Sequence, residues 1–215
     1  MLLFRQCGEN NKNGVEQMGS RIRFTKAKQV FEAYPGLSES VNEPSGDLAP
    51  EEYALELQAG DEPLKAIEYF AHVLPKRESV WWGMKCVAGL DGAKNDNDRE
   101  VLALSETWVR EGDEDARAAV HAAAEAAKAD SAAVWIGFAA GWSGGSLSPN
   151  PDHRVDMPDD LTAKAVNAAV LIALGTLSAP EREQAVKTCL SAGLSFASGG
   201  SMPAVNIETS SAAMS

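Results

Sequence analysis

His72-Val73-Leu74-Pro75-Lys76-Arg77-Glu78-Ser79-Val80-Trp81-Trp82-Gly83-Met84 sets the fold class of this chain. An apolar helical run ends at Leu74, and Pro75 breaks it because proline has no N–H to donate and its ring disfavours a helical residue before it. Lys76-Arg77-Glu78 reads as a basic-acidic turn, and a second helix follows with two adjacent tryptophans. Neighbouring helical residues point about 100° apart. Trp81 and Trp82 therefore cannot pack on the same spot: one can enter the core, and the other meets a second element, a partner or solvent. Before the break, Leu64, Ile67, Ala71 and Leu74 form an apolar stripe flanked by Phe70 and Val73; after it come Val80, Trp81, Met84, Val87 and Ala88. A short turn between two amphipathic helices predicts an antiparallel hairpin.

The same period recurs on both sides. Upstream, Thr25 to Ala33 reads as a short helix capped by Thr25 and stopped by Pro35-Gly36, with a loop over 38–48. Pro50 suits a first helical position, and the helix from it runs to about Gln58 before Gly60. Asp61 is positioned to cap the helix that carries the Leu64 stripe. Downstream, after a polar loop over 89–97, Asp98 is the expected N-cap of a helix with Val101, Leu102, Ser105, Trp108 and Val109 buried. Glu114 to Ala129 is alanine-rich, with Ala116, Ala119, Val120, Ala123 and Ala127 on one side, and predicts close helix packing. Ser131 caps a helix with Trp135, Phe138, Ala139 and Trp142 at i, i+3, i+4 and i+7. Residues 143–160 form a long Gly/Pro/Asp loop, a length that is uncommon inside a domain and often functional. From Asp160 to about Leu177 the chain is apolar almost all round, the mark of a central helix. Ser178-Ala179-Pro180-Glu181 starts the last helix, with Val186, Cys189, Leu190, Leu194 and Phe196 inward.

No run alternates like a strand. The expected fold is all-α: a compact multi-helix bundle of antiparallel helical hairpins or a short HEAT-like stack, as one domain over residues 21–197. Residues 1–20 read as disordered or as an added extension, and 198–215 as a flexible tail.

Charge narrows the function classes. The 215 residues carry a net charge of −12. That argues against nucleic acid, which needs a basic face to displace counterions, and against an anionic membrane surface. No apolar run approaches a membrane span, and no secretory leader is evident, so a cytoplasmic location is expected. Cys7, Cys86 and Cys189 make no metal-binding pattern, and Cys86 and Cys189 read as buried small hydrophobes. No metal or cofactor is expected.

Gly141-Trp142-Ser143-Gly144-Gly145 matches GxSxG, and Asp152-His153 lies near it. A hydrolase elbow needs a strand before the serine and a helix after it. Here a helix precedes and a proline-rich loop follows, so a glycine C-cap leading into the loop fits better. Asn95-Asp96-Asn97-Asp98 lacks the glycine and terminal glutamate of a calcium loop. The histidines are isolated; His72 pairs with Glu68 on one helix face, His121 lies on the alanine helix and His153 in the loop. Trp81, Trp108 and Trp135 fit the apolar stripes of their helices. Trp82 and Trp142 each sit beside a glycine near a loop or helix end, where core and interface roles both fit.

Residues 68–82, with the run HVLPKRESVWW, resemble the LAHALPxREAVWW signature of an uncharacterised bacterial family. Residues 142–149 are similar to its WSGGSLAP segment, and 161–166 to its LTAKAV helix start, so the resemblance spans roughly Leu55 to Ser198. Members are often encoded near type VI secretion effector, spike-tip and adaptor genes. The resemblance implies a non-enzymatic accessory protein that binds a secreted effector, its adaptor or a spike-tip protein, and it assigns no catalytic residue. The chain departs from the family at 150–153, where a more proline-rich loop is expected. The partner-binding candidates are Trp82, Arg77, Trp142, Ser146, Pro149 and His153. The alternatives are an immunity protein whose acidic face covers a basic toxin, and a serine hydrolase using Ser143.

Overall fold

The computed structural model describes residues 19–127, 130–148, 150 and 152–206. Most of the expected N-terminal extension, the chain from 207 onward, Cys7, Pro149 and Pro151 lie outside those residues. The elements are α1 (Lys28–Ala33), a 3₁₀ turn (Pro35–Glu39), α2 (Pro50–Ala59), α3 (Leu64–Val73), α4 (Lys76–Leu90), α5 (Asp96–Glu111), α6 (Glu114–Ala126), α7 (Ala132–Gly141), α8 (Leu161–Gly175) and α9 (Ala179–Ala197). Among the described residues there is no strand, only an isolated antiparallel bridge between Ser146 and Asp156. The fold is all-α, as the periodicity predicts.

The α3–α4 joint shows how the quoted stretch works. In an unbroken helix the carbonyl of Ala71 would accept from residue 75, but Pro75 has no N–H. The Ser79 hydroxyl takes that place, donating to Ala71 O over 2.9 Å inside the core. Lys76, Arg77 and Glu78 are the first turn of α4, not a turn ahead of it, because Pro75 already stands at the N-cap in an extended conformation. α3 and α4 meet mainly at this joint, and both pack on α8.

Several caps follow the reading and others shift. Ser131 accepts from Val134 N, and Ser178 with Glu181 forms a capping box at α9. Glu52 reaches back to Ala49 N at the start of α2. At α1 the expected Thr25 cap is replaced by Gln29, whose side-chain oxygen accepts from Thr25 and Lys26 N–H groups. α3 begins after Pro63 rather than being capped by Asp61. Asn95, not Asp98, caps α5. Asp98 is wholly buried one turn later, where it accepts from Lys94 N at 2.9 Å and from Ser131 Oγ at 2.6 Å, joining the starts of α5 and α7.

The core forms where α7 and α8 lie side by side. α4 to α6 cover α7, and α3 and α4 cover α8. α9 returns against α2, α3, α4 and α8, so contacts between elements far apart in sequence close the bundle. A solenoid, whose repeats touch only their neighbours, would lack them. Trp82 is fully buried; its indole N–H donates to Cys189 O on α9 over 2.9 Å, and its ring meets Phe70 edge-on at 5.1 Å. Gly193 makes room: a Cβ there would lie 2.4 Å from Phe70 and 2.7 Å from Trp82 Nε1. The expectation of Trp82 as a partner anchor is therefore corrected. Trp81 is the partly exposed member of the pair, with Lys85 Nζ 4.0 Å above its ring. Past α9 the chain stays packed at least to Val205, which is 3% exposed and lies against Gly89, so residues 201–206 are not the free tail their composition suggests.

Candidate functional site

α7 is short, apolar on every side and surrounded by four helices. Close packing on that scale admits only small or slender side chains, and Ala133, Ile136, Gly137, Ala140 and Gly141 are all buried. A Cβ at Gly137 would lie 2.5 Å from Val101 and 2.9 Å from Ala124, so α5 and α6 approach as closely as glycine permits. The bulky residues of α7 are thereby turned outward. Trp135, Phe138 and Trp142 are partly exposed, and their rings touch: Phe138 stacks on Trp142 at 5.1 Å, and Trp135 meets both edge-on at 6.0 and 6.2 Å. His121 on α6 adds a fourth ring, 6.3 Å from Phe138. Periodicity assigns Trp135 and Phe138 to the core; the structure places them on a half-buried aromatic stripe.

The 143–160 loop leaves the end of this stripe and is tied down at several points. Lys76 Nζ donates to Ser143 O at 3.3 Å and to Asp159 at 3.0 Å, holding the two ends of the loop together. Arg117, with most of its side chain buried, is clamped by Glu114 and donates to Gly141 O. Its guanidinium lies under Gly145, whose φ of +86° favours glycine. The hydrogen bonds that Arg117 donates to Glu114 hold that carboxyl below its ordinary range. Within the loop, Leu147 N donates to Val155 O at 2.8 Å, Ser146 Oγ accepts from Ser148 N and Val155 N, and Arg154 joins Asp156 to Gly145 O. The product is a small stapled hairpin. Two large apolar residues stand out on it, Leu147 at 53% and Val155 at 51% exposure.

The GxSxG match gains a structural explanation from the same contacts. Gly141 is favoured because a Cβ would lie 2.6 Å from the His121 ring, and Gly145 because of its positive φ. Ser143 follows α7 directly, its N–H bonded to Ala140 O and its carbonyl to Lys76. A helix end and an irregular loop surround it, not the strand and helix on which a nucleophile elbow depends.

The six sequence candidates do not converge. Trp142 and Ser146 belong to the stripe and hairpin, and His153 is exposed on the same loop. Pro149 lies outside the described residues. Trp82 is core. Arg77 is exposed at the start of α4, packs against Gly112 and lines a separate shallow groove of about 220 Å³ with Arg21, Trp81, Val109 and Phe196. Sequence reasoning missed Phe138, Trp135, Leu147 and Val155 as surface groups and Arg117 as the residue that fastens the loop. One signal was available: glycines at 137 and 141, four apart, mark the close-approach side of α7 and therefore the opposite side as the open one.

Among the described residues no group of three or more His, Cys, Asp or Glu could hold a metal ion, and no helix is long and apolar enough to cross a membrane. Residues 53–197 match a protein family described as "Family of unknown function (DUF6931)". No curated protein and no solved structure matches the chain.

Proposed function

The chain belongs to the DUF6931 family, and from that premise we infer that it works by binding a protein partner, as a non-enzymatic cytoplasmic accessory protein of a type VI secretion system. Its partner is a secreted effector, its adaptor or a spike-tip protein. The contact surface is the stapled hairpin of the 143–160 loop together with the aromatic stripe of α7. The observation that carries this reading is the exposure of Leu147 and Val155 on a loop fastened by Lys76 and Arg117. Large apolar side chains exposed to water gain free energy when a partner covers them, and a loop already fastened by hydrogen bonds has less ordering entropy to lose. The sequence resemblance supplies the biological setting.

Co-purification of the tagged protein with the products of its neighbouring genes tests the reading. Retention of an effector, adaptor or spike-tip protein is expected, with loss on Leu147→Asp or Val155→Asp while the fold is unchanged. Absence of every such partner, or retention indifferent to both substitutions, overturns it.

A further inference from the structure

We propose that the α7 stripe and the hairpin seat a cationic amphipathic helix of the partner. The proposal rests on the protein-binding reading above and adds the chemistry of what is bound.

Shape is the first support. Trp135, Phe138 and Trp142 lie along one side of α7 at i, i+3 and i+7, a run of about 10 Å. Because each ring touches the next, they form a continuous apolar strip rather than three separate side chains. A helix that lays its own apolar face into such a strip anchors with the same spacing. Leu147 and Val155 add two exposed apolar side chains on the loop that leaves the end of α7.

Charge is the second. Each basic side chain that fastens the loop already holds a carboxylate: Lys76 has Asp159, Arg117 has Glu114, and Arg154 has Asp156. Three further carboxylates have no Lys or Arg partner among the described residues. Asp130 accepts from the Trp135 indole N–H at 3.0 Å. Glu125 lies 3.8 Å from His121 Nε2, whose ring abuts Phe138. Asp152 is exposed in the loop. Among the described residues, then, carboxylates without a Lys or Arg partner stand at Trp135, beside the His121–Phe138 contact and in the loop that follows α7. Lysine or arginine flanking an apolar face would meet these carboxylates and the faces of the aromatic rings. An acidic segment would meet these same carboxylates as like charges. The net charge of −12 steers the approach in the same direction.

The test uses three synthetic peptides of about 14 residues, roughly four helical turns. One is a Leu/Lys amphipathic helix, one its Leu/Glu counterpart, and one the Leu/Lys composition scrambled so that no apolar face forms. Each is titrated into the full-length protein and followed by tryptophan fluorescence and by anisotropy of the labelled peptide. The Leu/Lys helix is expected to bind at least about tenfold more tightly than either control. The double variant Glu125→Lys/Asp152→Lys, altered only at exposed positions, is expected to lose about tenfold or more while its thermal melt is unchanged. Equal binding of the scrambled or the acidic peptide overturns the proposal, as does unchanged affinity in the double variant. A gene-neighbour partner retained undiminished by the double variant also overturns it and leaves the protein-binding reading standing. Stripe-dependent peptide binding with no gene-neighbour partner retained supports the seat and overturns the secretion-accessory reading.

Discussion

Replacing Trp82 by Ala separates a core tryptophan from an interface one. The side chain is 0% exposed, wedged between Phe70 and Gly193, with its N–H on Cys189 O. Removing a buried aromatic of this size costs about 3–5 kcal/mol, the lost transfer energy plus the cavity left behind. The lost hydrogen bond, worth about 1 kcal/mol, is contained in that figure. For a chain of this length each kcal/mol lowers the melting temperature by about 2–4 °C, so a fall of about 6–20 °C is expected. Trp81→Ala is the internal control. Its ring is partly exposed and its named partner is the Lys85 ammonium, a contact worth about 0.5–1 kcal/mol at such a site. Urea unfolding followed by far-ultraviolet circular dichroism reads both variants on one scale, with an unchanged m-value showing that the same surface unfolds. The reasoning fails if Trp82→Ala stays within about 1 kcal/mol of the parent, or if Trp81→Ala costs more than Trp82→Ala.

His72 is buried, its Nδ1 bonded to Glu68 O, and burial lowers its pKa below the ordinary 6.5. The unfolded imidazole therefore takes its proton first, so stability is full above the unfolded pKa and is lost as pH falls through it toward the lowered folded value. Denaturation at pH 7.5 and about 5.5 should show a smaller difference for His72→Phe than for the parent; an equal difference refutes the assignment. Asp98→Ala leaves Lys94 N and Ser131 Oγ without their buried acceptor and is expected to cost about 1–3 kcal/mol in the same unfolding assay. Gly145→Ala forces a positive φ on alanine and sets a Cβ 2.8 Å from Arg117 Nη2, a local strain of about 1–3 kcal/mol. Limited proteolysis within 143–160 should quicken while the global melt moves little, and unchanged cleavage would show that Arg117 does not fasten the loop.

Much of the fold was legible because helix boundaries are written in local chemistry. Pro75, Ser131 and the Ser178–Glu181 pair announce their helix ends through backbone groups a few residues away. The misplaced caps, Thr25 and Asp98, fail for a different reason. Both are good cap residues by type, yet Gln29 reaches back to the Thr25 and Lys26 N–H groups, Asn95 caps α5 through Asp98 N, and Asp98 is held by Lys94 N and by Ser131, thirty-three residues away. No local rule sees that partner. The Trp81-Trp82 pair is the same problem in sharper form. Helical geometry requires that they diverge, but which one goes inward depends on Gly193, more than a hundred residues later, leaving a recess for an indole. The loop's fastening was illegible because Lys76 and Arg117 come from helices that only the fold brings to it.

The stripe on α7 follows from volume rather than from hydrophobicity. Where both sides of a helix are apolar, periodicity cannot choose between them, because either would lower its free energy in the core. Space decides. Four helices converge on α7, and the Val101, Ala124 and His121 side chains seated on Gly137 and Gly141 leave no room for an indole on that side. The large rings therefore stand on a side that is left incompletely covered. Had α7 carried large residues at 137 and 141, α6 would stand further off and Trp135 could turn inward. Gly141, which opens the hydrolase-like motif, thus acts with Gly137 to set the aromatic surface facing outward, and filling either with a side chain should loosen α6 and blur the stripe together.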